Sequence, residues 1–416
     1  MSESGSRGQR ASLREQFASG AIGPNVLVLG FVSLLTDISS EMVSAILPIW
    51  LLRELQFSTL EFGALDGLWR GFGGVLGALV AFAGDRGRRH RLAALAGYAL
   101  STASRAALLA LPITWGAVAG VLLVDRAGKG VRTPSRDALI SFASRPEARA
   151  SAFGLHRALD AVGWLIGPCI AFAILAVAPG AFDAVLFTSV AFGLLGVACM
   201  GLLVVDEAPR GEGVAEPRAT SRADLAALLS DRRTKRLVLG VFVLGLASLG
   251  EMLLVSALDR RGLVPSDRVP LCFTLLALVQ VFFSLPCARI AERLGLLRAY
   301  VGAHALLIAA YVVLASSRSG GYVPWLVLVL VGLFLATTDG VLAAIVTRAS
   351  PPERRGSALA LVLGASGIAK ACASFAFGAL WQARGVEESL FLFAGLAVAC
   401  LFAAVLILRR TGAPST

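Results

Sequence analysis

A nine-residue phrase occurs twice in this chain, about half a chain apart, and this repeat constrains the fold more than any other feature. Residues 144–152 read SRPEARASA, and residues 350–358 read SPPERRGSA. Each copy lies between two long apolar stretches, so the phrase is a recurring loop of a duplicated unit. Since the flanking stretches are apolar, the duplicated unit belongs in a membrane.

Hydropathy extends this interpretation to the whole chain. Apolar residues make up 57% of the sequence and the mean hydropathy is +0.78, above the roughly 45–50% apolar content of soluble domains. Twelve segments are about 20 residues or longer, the length that crosses a bilayer as a helix. We therefore predict an all-α integral membrane protein with twelve transmembrane helices in two pseudo-symmetric six-helix bundles. The predicted spans are 24–52, 58–83, 92–111, 115–131, 152–178, 184–205, 237–258, 270–288, 299–315, 322–347, 356–381 and 389–408.

The distribution of positive charge sets the predicted orientation. With the N-terminus in the cytoplasm, most of the 38 Lys and Arg residues fall in cytoplasmic segments, as the positive-inside rule requires. The net charge of +11 is thereby explained without a nucleic-acid partner. The predicted parts are a cytoplasmic tail (1–23), the first bundle (24–205), a cytoplasmic linker with a short surface helix (206–236), the second bundle (237–408) and a second cytoplasmic tail (409–416).

Two shorter repeats support the duplication. The segment Glu41-Met42 in the first span matches Glu251-Met252 in the seventh. The loop after the second span (85–89, DRGRR) matches the loop after the eighth (292–296, ERLGL). A duplicated helical bundle with a site at the seam between its halves is the usual plan of a secondary transporter.

Three motifs in the first half resemble those of one family. Asp85-Arg86-Gly87-Arg88-Arg89 is similar to the loop signature G-x-x-x-D-R-x-G-R-R of the major facilitator superfamily, although Ala81 replaces the leading glycine and one residue is missing after Arg86. Arg126-x-x-x-Gly130 resembles the superfamily's fourth-helix motif. Gly163-x-x-x-Gly167-Pro168 resembles part of the motif associated with antiporters, with Ala171 in place of a usual glycine. The resemblance extends from about residue 24 to residue 408.

This resemblance implies a transporter that tilts two six-helix bundles about a central cavity. It also implies a cytoplasmic gate, held shut by charge contacts at that end of the bundle interface. The expected gate residues are Asp85, Arg86, Arg88, Glu292 and Arg293.

Ionisable residues inside apolar spans are the candidates for chemistry, because each costs about 2.5–3.5 kcal/mol at mid-bilayer on insertion scales. Asp37 and Glu41 are four residues apart and share one helix face. Two carboxylates this close repel each other, so one of them can hold and release a proton. Glu251 and Asp339 supply the carboxylates of the second half. The alternative is that some of them merely bond to a helix backbone or cap a break.

Arginine and lysine side chains inside the spans give further candidates, one of them beside an aspartate. Asp66 and Arg70, four residues apart, are expected to form an internal ion pair. Arg126 is expected either to gate or relay protons, or to pair with the carboxylates of the first span. Lys370 should face the cavity, where it meets Asp339, Glu251 or an anionic group of a solute. The coupling and cavity candidates are therefore Asp37, Glu41, Arg126, Glu251, Asp339 and Lys370.

We predict a secondary active transporter of a small organic solute, working by alternating access and by proton-coupled export. It is expected to need no cofactor or metal, to draw on the proton gradient, and to act as a monomer in a bacterial inner membrane. An alternative is uptake or exchange of an organic anion, suggested by the cations of the third, fourth and eleventh spans. A membrane-embedded enzyme is more remote, because H-E-x-x-H, G-x-S-x-G and P-loop motifs are absent from the sequence. A non-transporting sensor on the same scaffold is equally remote.

Overall fold

The computed structural model describes residues 13–83, 89–206, 227–317, 321–351 and 354–409, with the backbone alone described for residues 74–83. Fourteen α-helices are named here within those ranges, and no strand occurs there. Their bounds are α1 Leu13–Ala18, α2 Pro24–Ile49, α3 Thr59–Ala83, α4 His90–Ala110, α5 Trp115–Phe142, α6 Arg149–Val177, α7 Phe182–Leu203, α8 Arg232–Gly245, α9 Glu251–Arg260, α10 Val269–Leu294, α11 Leu296–Ser316, α12 Val323–Ala349, α13 Arg355–Arg384 and α14 Val386–Arg409.

The all-helical membrane architecture is confirmed. Nine segments among the described residues are long and apolar enough to cross a membrane. The other three predicted spans are also helical, but charge or a break interrupts them. They are α3, α5 and the pair α8 and α9. Helix α5 continues to Phe142, beyond the predicted end at 131, and its last turns bury Arg132, Ser135, Leu139 and Ile140 inside the protein.

The seventh predicted span is not one helix, and this expectation was wrong. The chain leaves the helical conformation after Gly245 and resumes it at Glu251. The Tyr311 hydroxyl of α11 fills the gap, because it donates to the Ala247 carbonyl at 2.9 Å and accepts from the Leu249 amide at 2.8 Å. Two of the backbone groups that lose a helical partner at the break are thus satisfied.

The two halves of the chain meet along two pairs of helices. Helix α3 packs against α13, and α6 packs against α10. Within the first half α2 packs on α6 and α7, and within the second α10 packs on α12 and α11 on α14.

Small residues bring α3 and α13 into backbone contact. A Cβ atom added at Gly63 would lie 2.6 Å from the Ser374 carbonyl oxygen and 2.8 Å from the Gly378 Cα. One added at Gly67 would lie 2.8 Å from the Ala371 carbonyl oxygen. Any larger residue would hold these two helices apart, as is usual for small-residue crossings in membranes.

Candidate functional site

A row of cations on α5 faces the carboxylates of α2. Arg126, Lys129 and Arg132 follow one another at intervals of three, so they share one side of the helix. The Arg132 Nη2 lies 3.4 Å from the Asp37 Oδ1, and the Lys129 Nζ donates to the Ser40 hydroxyl at 3.4 Å. The carboxylate of Asp37 is therefore paired with Arg132, a residue that the sequence analysis did not single out.

Arg126 does not pair with the carboxylates of α2. Its Nη2 contacts the Asp125 Oδ2 at 3.1 Å, and the Oδ1 of the same carboxylate accepts from the Arg105 Nη1 at 2.8 Å. The Arg105 and Asp125 side chains are each only 4% exposed. Asp125 thus balances two guanidinium groups where water is excluded, which makes the pair costly to break.

Aromatic rings cover two of these cations. The Arg126 guanidinium carbon lies 3.7 Å from the centre of the Trp69 ring, and that of Arg132 lies 4.5 Å from the Tyr98 ring. Stacking on a ring face stabilises a cation and leaves some of its N–H groups free. Among the described residues, two N–H-bearing atoms of Arg132, Nε and Nη1, are buried without a hydrogen-bond partner.

A smaller polar cluster joins α2, α5 and α6. His156 is 1% exposed and lies 3.4 Å from both the Ser33 hydroxyl and the Asp160 carboxylate. The Arg136 Nη1 donates to the same serine hydroxyl at 3.3 Å. Charged groups at this end of α6 are therefore packed inside the first half.

Glu41 and Glu251, the predicted symmetry mates, are brought near each other across the two halves. The charged groups that act on the Glu41 carboxylate are Lys129, Asp37, Arg126 and Glu251. No hydrogen bond or ion pair joins either glutamate to another described residue. Both side chains are half-buried. They are thus two unpaired carboxylates at the seam, with a lysine beside one of them.

Asp66 and Arg70 do not form the predicted ion pair. The Asp66 Oδ2 accepts from the Ser374 hydroxyl at 2.6 Å, and the Arg70 Nη1 donates to the Ser248 carbonyl at 3.0 Å. Ser248 lies in the break between α8 and α9, and Ser374 lies on α13. Each residue of the expected pair therefore bonds to the other half of the chain.

Asp339 and Lys370 line one cavity of about 350 Å³ in the second half. Arg70 reaches the same cavity from α3. The Asp339 Oδ2 accepts from the Gln280 amide at 2.8 Å. The cavity sits beside the α8–α9 break, because Gly245 and Ser248 also line it.

The structure is closed at one end of the seam, which we call the Arg53 end. The Arg53 Nε contacts the Asp259 Oδ2 at 2.7 Å, and Arg260 donates to the Leu52 carbonyl at 2.8 Å. The Leu60 amide also donates to the Gln382 side chain at 3.3 Å. All three contacts join the first half to the second, so they hold the two halves together at this end of the seam.

At the opposite end, three of the expected gate residues lie outside the described residues: Asp85, Arg86 and Arg88. Glu292 lies 3.7 Å from Arg348, a pair between exposed side chains of the second half. Arg293 lines a cavity of about 560 Å³ together with Arg233 and Arg298. The gate therefore stays a prediction.

The small residues of the family motifs lie at close contacts between α6 and α2. A Cβ added at Gly163 would lie 2.9 Å from the Asp37 Cβ, and one at Gly167 would lie 2.9 Å from the Glu41 Cβ. Pro168 follows inside α6. Gly130 lies on α5, two residues after Gly128. A Cβ added at Gly128 would lie 2.7 Å from the Gly97 carbonyl oxygen of α4. The motif glycines thus set the distance of α6 from the two acidic residues.

In the described part of the chain, no cluster of three or more His, Cys, Asp or Glu side chains could hold a metal ion. The six cysteines there are all free.

A multi-pass helical membrane protein whose central seam holds carboxylates without a partner among the described residues has the arrangement of a membrane transporter. The sequence model of the Major Facilitator Superfamily matches residues 29–328 and 264–416. The chain belongs to this superfamily, and by family and fold it is one of its transporters.

Relatives and solved structures agree with this assignment. An uncharacterized MFS-type transporter of Methanocaldococcus jannaschii is 25% identical over 367 residues, which cover 87% of this chain and 89% of the relative. An uncharacterized protein of Mycobacterium tuberculosis is 33% identical over 157 residues, 38% of each chain. The nucleoside transporter NupG has a TM-score of 0.74 at 15% identity and covers 92% of this chain and 99% of its own. An inward-facing bacterial homolog of the human lysosomal transporter Spinster has a TM-score of 0.72 at 14% identity, with 97% and 100% covered. The structural matches show the fold alone.

Proposed function

We infer that this transporter exports a small organic solute in exchange for protons, by alternating access. The observation that carries this inference is the pair Glu41 and Glu251, which lie in different halves, act on each other electrostatically and have no hydrogen bond to a described residue. An unpaired carboxylate at bilayer depth is costly when charged, so binding a proton or a positively charged group relieves it. Exchange requires that the proton and the solute compete for the same carboxylate.

The arrangement of Lys129 supports the same function. It acts on Glu41 electrostatically, donates a long hydrogen bond of 3.4 Å to Ser40 and lies 6.0 Å from the centre of the Trp69 ring. When the glutamate is protonated, the lysine loses an attractive partner, and the balance of charge at the seam changes. A change of charge where the two halves meet stabilises one conformation of the transporter relative to the other.

The row of cations on α5 favours a second candidate, the uptake or exchange of an organic anion. The buried N–H groups of Arg132 without a partner could bind an anionic group. A proton-coupled exporter needs the two glutamates, whereas an anion exchanger needs the arginines. Variants of the glutamates therefore distinguish the two functions.

The test is transport by the purified protein in liposomes with an imposed proton gradient, read from the collapse of that gradient when solutes from a broad panel are added. We expect solute-dependent proton movement, and its loss in the variants E41Q and E251Q. E388Q, which changes an exposed glutamate, is the matched control. If both seam variants moved protons with solute as the unchanged protein does, proton coupling at these residues would be excluded. If gradient-driven transport disappeared but anion exchange continued, the second candidate would be favoured.

We propose a bacterial inner-membrane location, and the charge distribution supports an orientation with both termini in the cytoplasm. In that orientation the Arg53 end faces outward. Asp85, Arg86, Arg88, Glu292 and Arg293 would then form the inner gate when the seam closes at the cytoplasmic side. Protease accessibility of tags at the two termini, in intact cells and in inverted vesicles, checks the orientation.

A further inference from the structure

We propose that the cavity of the second half binds a small zwitterionic solute, with its carboxylate held by Lys370 and Arg70 and its ammonium group held by Asp339. This proposal rests on the proposed function, because the zwitterion would be the solute that is moved. It adds a substrate class and a binding geometry, neither of which the superfamily assignment supplies.

The cavity has the size of a site for a small molecule. Its volume of about 350 Å³ lies at the lower end of the roughly 300–1,000 Å³ typical of ligand pockets. Five helices and one helix break contribute to its lining, since the lining residues come from α3, α8, α11, α12, α13 and the segment after α8. A cavity lined by so many elements can contact both ends of a small ligand at once.

Opposite charges line this cavity without neutralising each other. Lys370 and Asp339 act on each other electrostatically, yet no ion pair within 4.0 Å joins them among the described residues. Instead Gln280 binds the Asp339 carboxylate at 2.8 Å. Two opposite charges serving only structure would be expected in contact, because direct contact offsets the cost of burying them. A gap between them leaves room for a ligand with both signs of charge.

The positive wall consists of two cations that repel each other. Lys370 has Arg70 as a like-charged neighbour, and both line the cavity. Arg70 uses one N–H on the Ser248 carbonyl at 3.0 Å, which leaves other donors of its guanidinium group free. Ser366 places a hydroxyl at the same wall. A carboxylate between the two cations would remove their repulsion and accept several charge-assisted hydrogen bonds.

The negative wall can accept an ammonium group. The Gln280 bond occupies one oxygen of Asp339, so its other oxygen stays available as an acceptor. Asp339 is exposed to the cavity, although its helix lies within the protein. Glu251 adds a second negative charge that acts on both Asp339 and Lys370. The positive end of a solute would therefore be drawn to this side.

An aromatic wall closes the cavity between the charged walls. The rings of Tyr300, His304 and Phe334 meet edge to face, with centroids 5.4 Å and 5.1 Å apart. His304 Nδ1 lies 3.0 Å from the Tyr300 carbonyl oxygen, so this nitrogen carries the proton and donates. The His304 side chain also lines the cavity. Such a wall suits a short apolar body between the two charged groups.

A solute with only one charge fits these walls less well. A simple anion would leave Asp339 facing a low-dielectric ligand, and a simple cation would do the same to Lys370. Each uncompensated charge costs binding free energy, since water is displaced from it without replacement. We therefore expect single-charge analogues to bind about tenfold or more weakly than the zwitterion, the effect of losing one charged hydrogen bond.

The test is isothermal titration calorimetry of the full chain in detergent, without any gradient. The probes are phenylalanine, leucine and 4-aminobutanoate, each beside its amide, which is only a cation, and its N-acetyl form, which is only an anion. We expect at least one zwitterion to bind and both of its analogues to bind about tenfold or more weakly. If no zwitterion in this panel binds, or if a single-charge analogue binds equally well, the proposal is overturned.

Two cavity variants and two controls locate the binding. K370Q and D339N should each weaken binding of the zwitterion about tenfold or more, whereas K370R should restore most of the affinity lost in K370Q. K235Q and D183N change exposed residues outside the cavity and should leave the affinity unchanged. Size-exclusion chromatography verifies that each variant is folded. Unaltered binding in both cavity variants would place the solute elsewhere and contradict the proposal.

These outcomes separate the proposal from the proposed function. Binding without solute-dependent proton movement in liposomes would remove proton exchange and keep the zwitterion site. Proton movement with another solute, combined with no zwitterion binding, would remove the zwitterion site alone.

Discussion

At the scale of single residues, the first half depends on buried charges that share partners. Asp125 accepts from Arg105 and Arg126, and Asp37 accepts from Arg132. Arg126 and Arg132 are in addition stacked on aromatic rings. Removing the Asp125 carboxylate therefore leaves two cations without compensation.

The variant D125N should lower the free energy of unfolding by about 3–5 kcal/mol, because it leaves a buried Arg105 without its carboxylate. Thermal unfolding in detergent measures the change. The matched control is E388Q, which breaks the pair of Arg384 and Glu388, whose side chains are 55% and 52% exposed. That pair should contribute no more than about 1 kcal/mol. Equal effects of the two variants would show that burial does not govern these ion pairs.

Residue spacing predicted some of this site and missed the rest. It placed Asp37 and Glu41 on one face and Arg126 inside the bundle, and the structure agrees. It also paired Asp66 with Arg70, since nothing in the spacing shows that Ser374 and Ser248 of the other half compete for them. Arg132 continues the same three-residue interval as Arg126 and Lys129, so extending that pattern would have found it.

At the scale of helices, the crossing of α3 and α13 depends on the absence of side chains. The variant G63L should force the two helices apart, because even a Cβ would meet the Ser374 carbonyl oxygen at 2.6 Å. Hydrogen–deuterium exchange should then become faster in both helices near the crossing. G120A is the control, since no atom lies within 4 Å of the added Cβ on α5. Unchanged exchange in G63L would mean that the crossing tolerates a side chain.

Helix α8 begins at an N-cap that can be tested by itself. Asp231 accepts from the Thr234 hydroxyl at 2.7 Å and from the Thr234 amide at 2.8 Å, and these bonds hold the pKa of Asp231 below its ordinary value. The variant D231A should cost about 1 kcal/mol in thermal unfolding at neutral pH.

Because the pKa of Asp231 is lowered in the folded protein, its stabilising effect is present above the ordinary value of about 3.9. It is lost as the pH falls through the lower folded value. The difference between D231A and the unchanged protein should shrink in that window. T234V, which keeps the amide bond, should show a smaller loss than D231A; a larger loss would contradict the capping role.

At the scale of the whole molecule, the closed Arg53 end is held by weak contacts that can open. Arg53 is 45% exposed on its side chain, whereas Asp259 is 5% exposed and also accepts from Ser266 at 2.7 Å. A pair with one exposed member contributes about 1 kcal/mol or less. It is strong enough to bias an equilibrium between two arrangements and weak enough to be reversed.

The variant R53Q should shift the population toward the arrangement open at the Arg53 end by up to about fivefold, the factor that corresponds to 1 kcal/mol. Electron paramagnetic resonance distances between labels at Gln56 and Asp267, on a cysteine-free background, measure the shift. The control R384Q breaks a pair within the second half and should not change the distance distribution. A distribution unchanged in R53Q would show that other contacts close this end.

Hydropathy and the repeat predicted the helical membrane fold because a bilayer permits few other arrangements of an apolar chain. The same signals could not show how the halves meet. The contacts of α3 with α13 depend on residues more than 300 positions apart, such as Asp66 and Ser374. Nor could they show that charged turns at the end of α5 are packed inside, since periodicity alone does not identify a partner.

The Tyr311 hydroxyl, which bonds to one amide and one carbonyl of the α8–α9 break, lies 64 residues further along the chain than the carbonyl it binds. The conformation of this segment therefore depends on Tyr311, a residue outside it. Changing its glycines to better helix formers would not by itself make it a continuous helix, while Y311F would leave an amide and a carbonyl without partners. During synthesis, the break can acquire its final form only after α11 has emerged and packed beside it.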